Sequence, residues 1–190
     1  LRKIEQAARE VAKKALQCTV WVQIGQAQGS GVIVSADGYV LTAAHVVGSP
    51  GRDARIKLPD GTVLKGKTLG MHTVADAGLV KVTDKLEWPH VPLVGAGQAP
   101  QVGDWCLATG HAGGFQEERS PPVRLGRIID AADDVLWSDC AVTGGDSGGP
   151  LFDLQGRVIG IHSRISPDLT FNLHAPAVAC PPAPPPQCRT

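Results

Sequence analysis

A chain of 190 residues with 43% hydrophobic content, 23 glycines and 15 prolines can bury a sizeable core and breaks it with many turns, which excludes a disordered or fibrous chain. Eighteen basic residues balance eighteen acidic ones, so no net field draws the protein to nucleic acid or to an anionic membrane surface. No apolar run is long enough to span a bilayer.

Residues 1–17 read as an amphipathic helix. Leu1, Ile4, Ala8, Val11 and Ala15 recur at helical spacing between charged residues. Its apolar face serves either packing on its own domain or a homo-oligomer contact. No signal peptide is present, and a chain that begins at Leu1 is expected to be a fragment or a processed form. Thr19–Ile24 is β-branched and aromatic, bounded by Gly25, and predicts a strand. Gly29–Val34 and Tyr39–Thr42 are two further apolar runs, joined through Asp37-Gly38 as a tight hairpin. Ala43-Ala44-His45-Val46-Val47 follows, placing His45 at a strand end.

Ala54–Leu58 and Thr62–Leu64 predict a hairpin around Pro59-Asp60-Gly61. Asp76 stands just before the apolar run Leu79–Val82, where a plain turn residue would also fit. Residues 95–103 carry glycine and proline and connect two halves. Trp105–Thr109, Val123–Ile129, Val135–Ser138, Leu151–Phe152 and Val158–Ser163 supply a second set of strands. Residues 110–122 form a long loop, which in a compact domain signals function or mobility. Residues 179–190 are a proline-rich tail or linker. No internal repeat is evident. Many short strands and one clear helix make this an all-β chain.

Several residues are set aside as ordinary. Cys18, Cys106 and Cys140 read as buried inert thiols, and five cysteines leave at least one without an intrachain partner. Cys180 and Cys188 flank the proline-rich tail and could bridge each other, although a tail of this composition reads as disordered. His72, His90, His111, His162 and His174 lack ligand spacing and read as surface or loop residues. No spacing of Cys and His resembles a zinc site, so no metal and no cofactor is expected. Asp130, Asp133 and Asp134 read as a solvated turn.

The chemistry concentrates in Gly145-Asp146-Ser147-Gly148-Gly149-Pro150. A serine among glycines can expose its hydroxyl while neighbouring backbone N–H groups converge on one point, as acyl transfer requires. A flexible glycine-rich surface loop is the plain alternative. The acid before the serine, the Gly-Gly-Pro after it and the apolar strand beyond argue against that alternative.

Residues 29–47, residues 102–110 and residues 138–161 resemble three blocks of the chymotrypsin-like serine peptidases, and more closely of their HtrA or Deg branch. The resemblance covers roughly residues 19–178. It implies two antiparallel β-barrels, residues 18–95 with His45 and Asp76 and residues 96–178 with Ser147, with the active site between them. It implies Ser147 as nucleophile, His45 as general base and then acid, and Asp76 as the residue that orients His45. It implies an oxyanion hole from the N–H groups of Gly145 and Ser147, and a supporting role for Ser163 beside Asp76. It implies a specificity pocket walled by Ala141, Val142 and Thr143 on one side and Ser163, Arg164 and Ile165 on the other. A polypeptide substrate and an extracytoplasmic location are also implied.

Three departures stand out. Ala77 and Gly78 follow Asp76 where the branch has a large aliphatic residue and then alanine. Thr143, Gly144 and Asp146 replace Asn, Pro and Asn. Asp146 resembles digestive relatives, whose acid pairs with a newly cut N-terminus; here its partner must be backbone N–H groups or a basic side chain such as Arg119. Where the branch usually carries PDZ modules after the protease, the given sequence continues into the proline-rich tail. The expected function is a serine endopeptidase acting on unfolded polypeptide in protein quality control, with small or medium aliphatic residues before the cut. The alternatives are a catalytically silent binding or scaffolding protein on the same fold, and a serine esterase.

Overall fold

The computed structural model describes residues 2–84, 87–132, 135–165 and 172–177. After α1 (Arg2–Cys18) come six strands: β1 (Thr19–Ile24), β2 (Ala27–Ile33), β3 (Tyr39–Ala43), β4 (Asp53–Lys57), β5 (Val63–His72) and β6 (Ala77–Val82). A single helical turn, α2 (Ala44–Val47), lies between β3 and β4. Six more strands follow: β7 (Trp105–Thr109), β8 (Val123–Ala132), β9 (Val135–Ser138), β10 (Pro150–Asp153), β11 (Val158–Ile165) and β12 (Asn172–Pro176).

The strands close into two antiparallel barrels, ordered β1-β2-β3-β6-β5-β4 and β7-β8-β9-β12-β11-β10. The all-β, two-barrel, chymotrypsin-like expectation with an N-terminal helix is met. The second order repeats the first strand for strand, a duplication with no trace in the sequence. Closure removes the sheet edges that would otherwise pair with other chains. Phe152, Leu107, Leu151 and Ile161 are fully buried in the second barrel, and Ile24, Ile33 and Ile56 in the first; each contributes about 1.5–3 kcal/mol by leaving water. One apolar cluster runs through both barrels, joining Val32, Leu41 and Leu79 to Leu107, Phe152 and Ile161.

Helix α1 packs on its own chain. Val11, Ala15 and Cys18 are buried in the same cluster as Phe152, and the opposite face carries the pairs Glu5–Arg9 and Glu10–Lys13. Thr19 Oγ donates to the carbonyl of Ala15 at 2.8 Å where the helix ends. Among the described residues no helix is long and apolar enough to cross a membrane.

Three elements differ from the sequence expectation. Strand β5 runs on to His72 rather than stopping at Leu64. Gly66 and Thr68 fill its inward positions, so the apolar alternation that marks a strand is missing there. Strand β12 has no counterpart in the expectation: its buried residues include Asn172 and His174, which do not read as core. His45 sits on α2, two residues past the end of β3. The proline-rich tail, Cys180, Cys188, Asp133 and Asp134 lie outside the described residues.

Candidate active site

Strand β3 and the turn before β6 deliver two of the three expected residues. Ala43 pairs with Ala77 across β3 and β6, so α2 and Asp76 emerge side by side. Asp76 O accepts the Ala44 N–H at 3.1 Å. His45 Nδ1 lies 2.9 Å from Asp76 Oδ2 and 3.1 Å from Oδ1, and the His45 backbone N–H donates to Oδ1 at 3.0 Å. Ser163 Oγ, reaching across from β11, donates to Asp76 Oδ2 at 2.7 Å. Burial alone would push the Asp76 carboxyl up; the hydrogen bonds from His45 and Ser163 together outweigh it and hold the carboxyl below its usual range. Asp76 is the one non-glycine residue with positive φ, 55°, among the described residues, a left-handed geometry that Asp tolerates better than most. Gly78 explains part of the local sequence: a Cβ there would meet Val47 Cγ2 at 2.5 Å, on the helical turn that carries His45.

The serine turn is fastened by its carbonyls. Gly113 N–H donates to Gly144 O at 2.7 Å, Ser30 Oγ to Gly145 O at 2.8 Å, Gly149 N–H to Asp146 O at 2.7 Å and Ser30 N–H to Ser147 O at 2.7 Å. The N–H groups of Asp146, Gly148 and Gly149 are also bonded. Those of Gly145 and Ser147 donate to no acceptor among the described residues. Gly145 has φ +94, and a Cβ on it would collide with the carbonyl of His111, so both conformation and space demand glycine. Gly148, at φ +83, is pressed against Thr42 and Ala43 at the end of β3, which sets the turn beside α2. Ser147 Oγ makes no hydrogen bond to His45 among the described residues, and His45 is half-exposed.

A cleft of about 230 Å³ next to Ser147 is lined by Val142, Thr143, Gly144, His162, Ser163, Arg164 and Ile165. Five of the six expected pocket residues are there; Ala141 is exposed and outside the lining. Arg164 and Ile165 are exposed at the rim. No acidic residue lines the cleft.

His162 in that lining is not the surface residue expected. His162 and His174 are fully buried, with their Nδ1 atoms 2.9 Å apart. His162 Nε2 is 3.1 Å from the Thr109 carbonyl, which can only accept, so that nitrogen carries the proton. His162 Nδ1 therefore accepts from His174 Nδ1–H, and His174 Nε2 accepts from Ser138 Oγ at 2.7 Å. Every ring nitrogen is satisfied with both rings neutral. Burial pulls His162 down to about 3, with the Arg124 charge acting in the same direction, and holds His174 well below its usual value. His111 is also buried, which lowers it to about 4. Among the described residues no group of His, Cys, Asp or Glu could hold a metal ion. Cys18, Cys106 and Cys140 are buried free thiols, with 3.7 Å between the sulfurs of the last two.

The partner of Asp146 is Arg124, not Arg119. Arg124 Nη2 on β8 lies 3.0 Å from Asp146 Oδ2, and the Thr143 N–H donates to the same oxygen at 2.9 Å. Arg119 instead donates to the carbonyl of Ala112 inside its own loop. That loop is anchored at two neighbouring points, Gly113 and Phe115. Phe115 packs edge-on against Trp21 of β1, with Lys57 Nζ 3.9 Å above its ring, while Gly113 holds the serine turn. Arg124 lies 22 positions before Asp146 in an unremarkable strand, and nothing local in the sequence links the two.

A family model described as a trypsin-like peptidase domain matches residues 29–161. A DegP-like periplasmic serine endoprotease of Brucella suis is 40% identical over 144 residues, covering 73% of this chain and 28% of the relative. A protein of the same description from Ectopseudomonas mendocina is 38% identical over 146 residues, covering 74% and 30%. The chain thus spans about a third of the length of the curated relatives it matches. The crystal structure of the serine endoprotease from Yersinia pestis superposes with a TM-score of 0.77 at 24% identity, covering 90% of this chain and 62% of that one.

Proposed function

Since the chain belongs to the trypsin-like peptidase domain family, we propose that it is a serine endopeptidase of the HtrA/DegP type, working through Ser147, His45 and Asp76. The observation that carries this reading is the His45–Asp76–Ser163 hydrogen-bond chain meeting, at the junction of the barrels, a serine turn with two unengaged N–H groups. Asp76 binds Nδ1 and so leaves His45 Nε2 as the basic nitrogen. Nε2 takes the Ser147 proton as Oγ attacks the scissile carbonyl, then returns it to the leaving amine; water repeats the cycle on the acyl-enzyme. The Gly145 and Ser147 N–H groups receive the charge that develops on the carbonyl oxygen.

The substrate proposed is unfolded or exposed polypeptide, in a quality-control role outside the cytoplasm, as the periplasmic description of the relatives supports. With no acid in the cleft lining, Val142, Thr143 and Ile165 favour small or medium aliphatic side chains before the cut, at about 0.8 kcal/mol per methylene buried. Neighbouring aliphatic residues would be told apart by only roughly 10–200-fold. Mapping the fragments of a denatured protein by mass spectrometry tests this. Cuts after Ala, Val and Leu are expected; dominant cuts after Lys, Arg, Asp or Glu contradict the pocket assignment.

A catalytically silent scaffold has one observation in its favour: Ser147 Oγ is not hydrogen-bonded to His45. Unliganded hydrolases commonly hold this contact loose and tighten it on substrate, and a scaffold has no need of Asp76 in a left-handed conformation with three donors around it. Turnover of the unfolded substrate by the native chain and its loss in Ser147→Ala separate the two readings.

A further inference from the structure

We infer that Arg124 is a positioning residue for the hydrolytic step: a built-in counter-ion that locks Asp146 and so keeps the Gly145 and Ser147 N–H groups free to bind the developing oxyanion, with no newly cut N-terminus required. This inference rests on the serine-hydrolase reading above.

Asp146 is the residue between the two unengaged N–H groups, so its orientation sets both peptide planes. Its side chain is 1% exposed and that of Arg124 19%. A carboxylate so removed from water needs a compensating charge or donors, and it has both in Arg124 Nη2 and the Thr143 N–H. The backbone is built to admit it: a Cβ at Gly110 would stand 2.6 Å from Asp146 Oδ1. Arg124 is placed by β8, paired opposite Ala108 of β7, so the counter-charge sits on a rigid strand rather than on a loop. The pair is made through one nitrogen and one oxygen, Arg124 Nη1 and Asp146 Oδ1 having no hydrogen bond among the described residues. His162, beside Arg124, is kept neutral by its burial, and with both ring nitrogens already hydrogen-bonded it does not compete for the carboxylate. Without Arg124, the carboxylate has reason to swing toward water, and the Gly144–Gly145 peptide, free of side chains, turns with it. A chain with the counter-charge already inside needs no charged group released by proteolysis to seat Asp146.

The test compares kcat, KM and the rate of fluorophosphonate labelling of Ser147 in the whole chain for the native protein, Arg124→Gln, Arg124→Lys and the neutral pair Arg124→Gln/Asp146→Asn. Arg124→Gln should lose about 10²-fold in kcat and labelling rate at little change in KM, the signature of a weakened oxyanion site. Arg124→Lys keeps a point charge for the single contact and should recover most of the loss. Native kcat in a folded Arg124→Gln overturns the inference. Should Arg124→Gln fail to fold, the neutral pair decides, because it leaves no unpaired buried charge: kcat at least about tenfold below native supports the inference, and native kcat overturns it. Acetylating the N-terminus should leave the labelling rate unchanged; a rate that rises only when a new N-terminus is cut overturns the claim of self-sufficiency. No labelling of the native protein at all refutes the hydrolase reading itself, an outcome distinct from native-rate labelling of Arg124→Gln, which refutes this inference alone.

Discussion

Asp76 shows how much one residue's surroundings decide. At a φ of 55°, its carboxylate gathers donors from His45 and Ser163, and it bridges the two barrels in doing so. Asp76→Asn should keep the fold but present an amide N–H where Nδ1–H must be accepted, leaving His45 in the wrong tautomer; kcat should fall by about 10⁴-fold, read from single-turnover kinetics on a peptide substrate. Ser163→Ala should cost less, because His45 still holds the carboxylate, and should raise the Asp76 pKa by removing one of its donors. Native kcat in Asp76→Asn would remove Asp76 from the mechanism. The serine turn and His45 were legible in the sequence because their constraints are local: glycines forced by close backbone contact, a hydroxyl between them, a histidine after a strand. Asp76 was less legible, since an acid before an apolar strand also suits a plain turn. Arg124 was not legible at all; it meets Asp146 only through barrel closure.

At the scale of elements, the pairing of β11 with β12 and of β12 with β9 builds a buried line from Thr109 through His162 and His174 to Ser138. Isolated histidines in sequence carry no sign of this, because the register that sets His162 against His174 belongs to a strand the alternation rule misses. The line has a measurable consequence. His162 titrates near 3 in the folded protein against about 6.5 unfolded, and His174 and His111 are shifted the same way. Below pH 6.5 the unfolded chain therefore binds more protons than the folded one, and stability rises with pH through this window. The stabilisation is complete above about pH 6.5 and is lost as pH falls toward 3, by about 4 kcal/mol from His162 alone. The lowered Asp76 pKa adds a loss of the same sign below its unfolded value of 3.8. Urea unfolding between pH 3 and 8 should show stability falling steadily below 6.5; a flat profile from 7 to 4 would contradict the neutral, buried pair. The length of loop 110–122 points to function or mobility, and the loop links two elements: Phe115 holds β1 and Gly113 holds the serine turn.

Across the whole molecule, the two barrels share one strand order and divide the site between them. His45 and Asp76 come from the first, Ser147, Ser163 and Arg124 from the second. Neither barrel alone contains the candidate chemistry, so the proposed mechanism depends on the docking of the two; the apolar cluster from Val32 and Leu79 to Phe152 and Ile161 and the Ser30–Ser147 hydrogen bond supply that docking. Two sets of strands could be read from the turn residues, but the duplication could not, because the barrels share topology and not sequence. The central claim is that this junction activates Ser147 as a nucleophile. The most direct measurement is fluorophosphonate labelling of the native chain at neutral pH, followed by peptide mapping. One adduct on Ser147, absent from Ser147→Ala, abolished by heat denaturation and strongly reduced in His45→Ala, is the predicted result. A folded chain that takes no label, or is labelled equally well on another residue, would contradict the account.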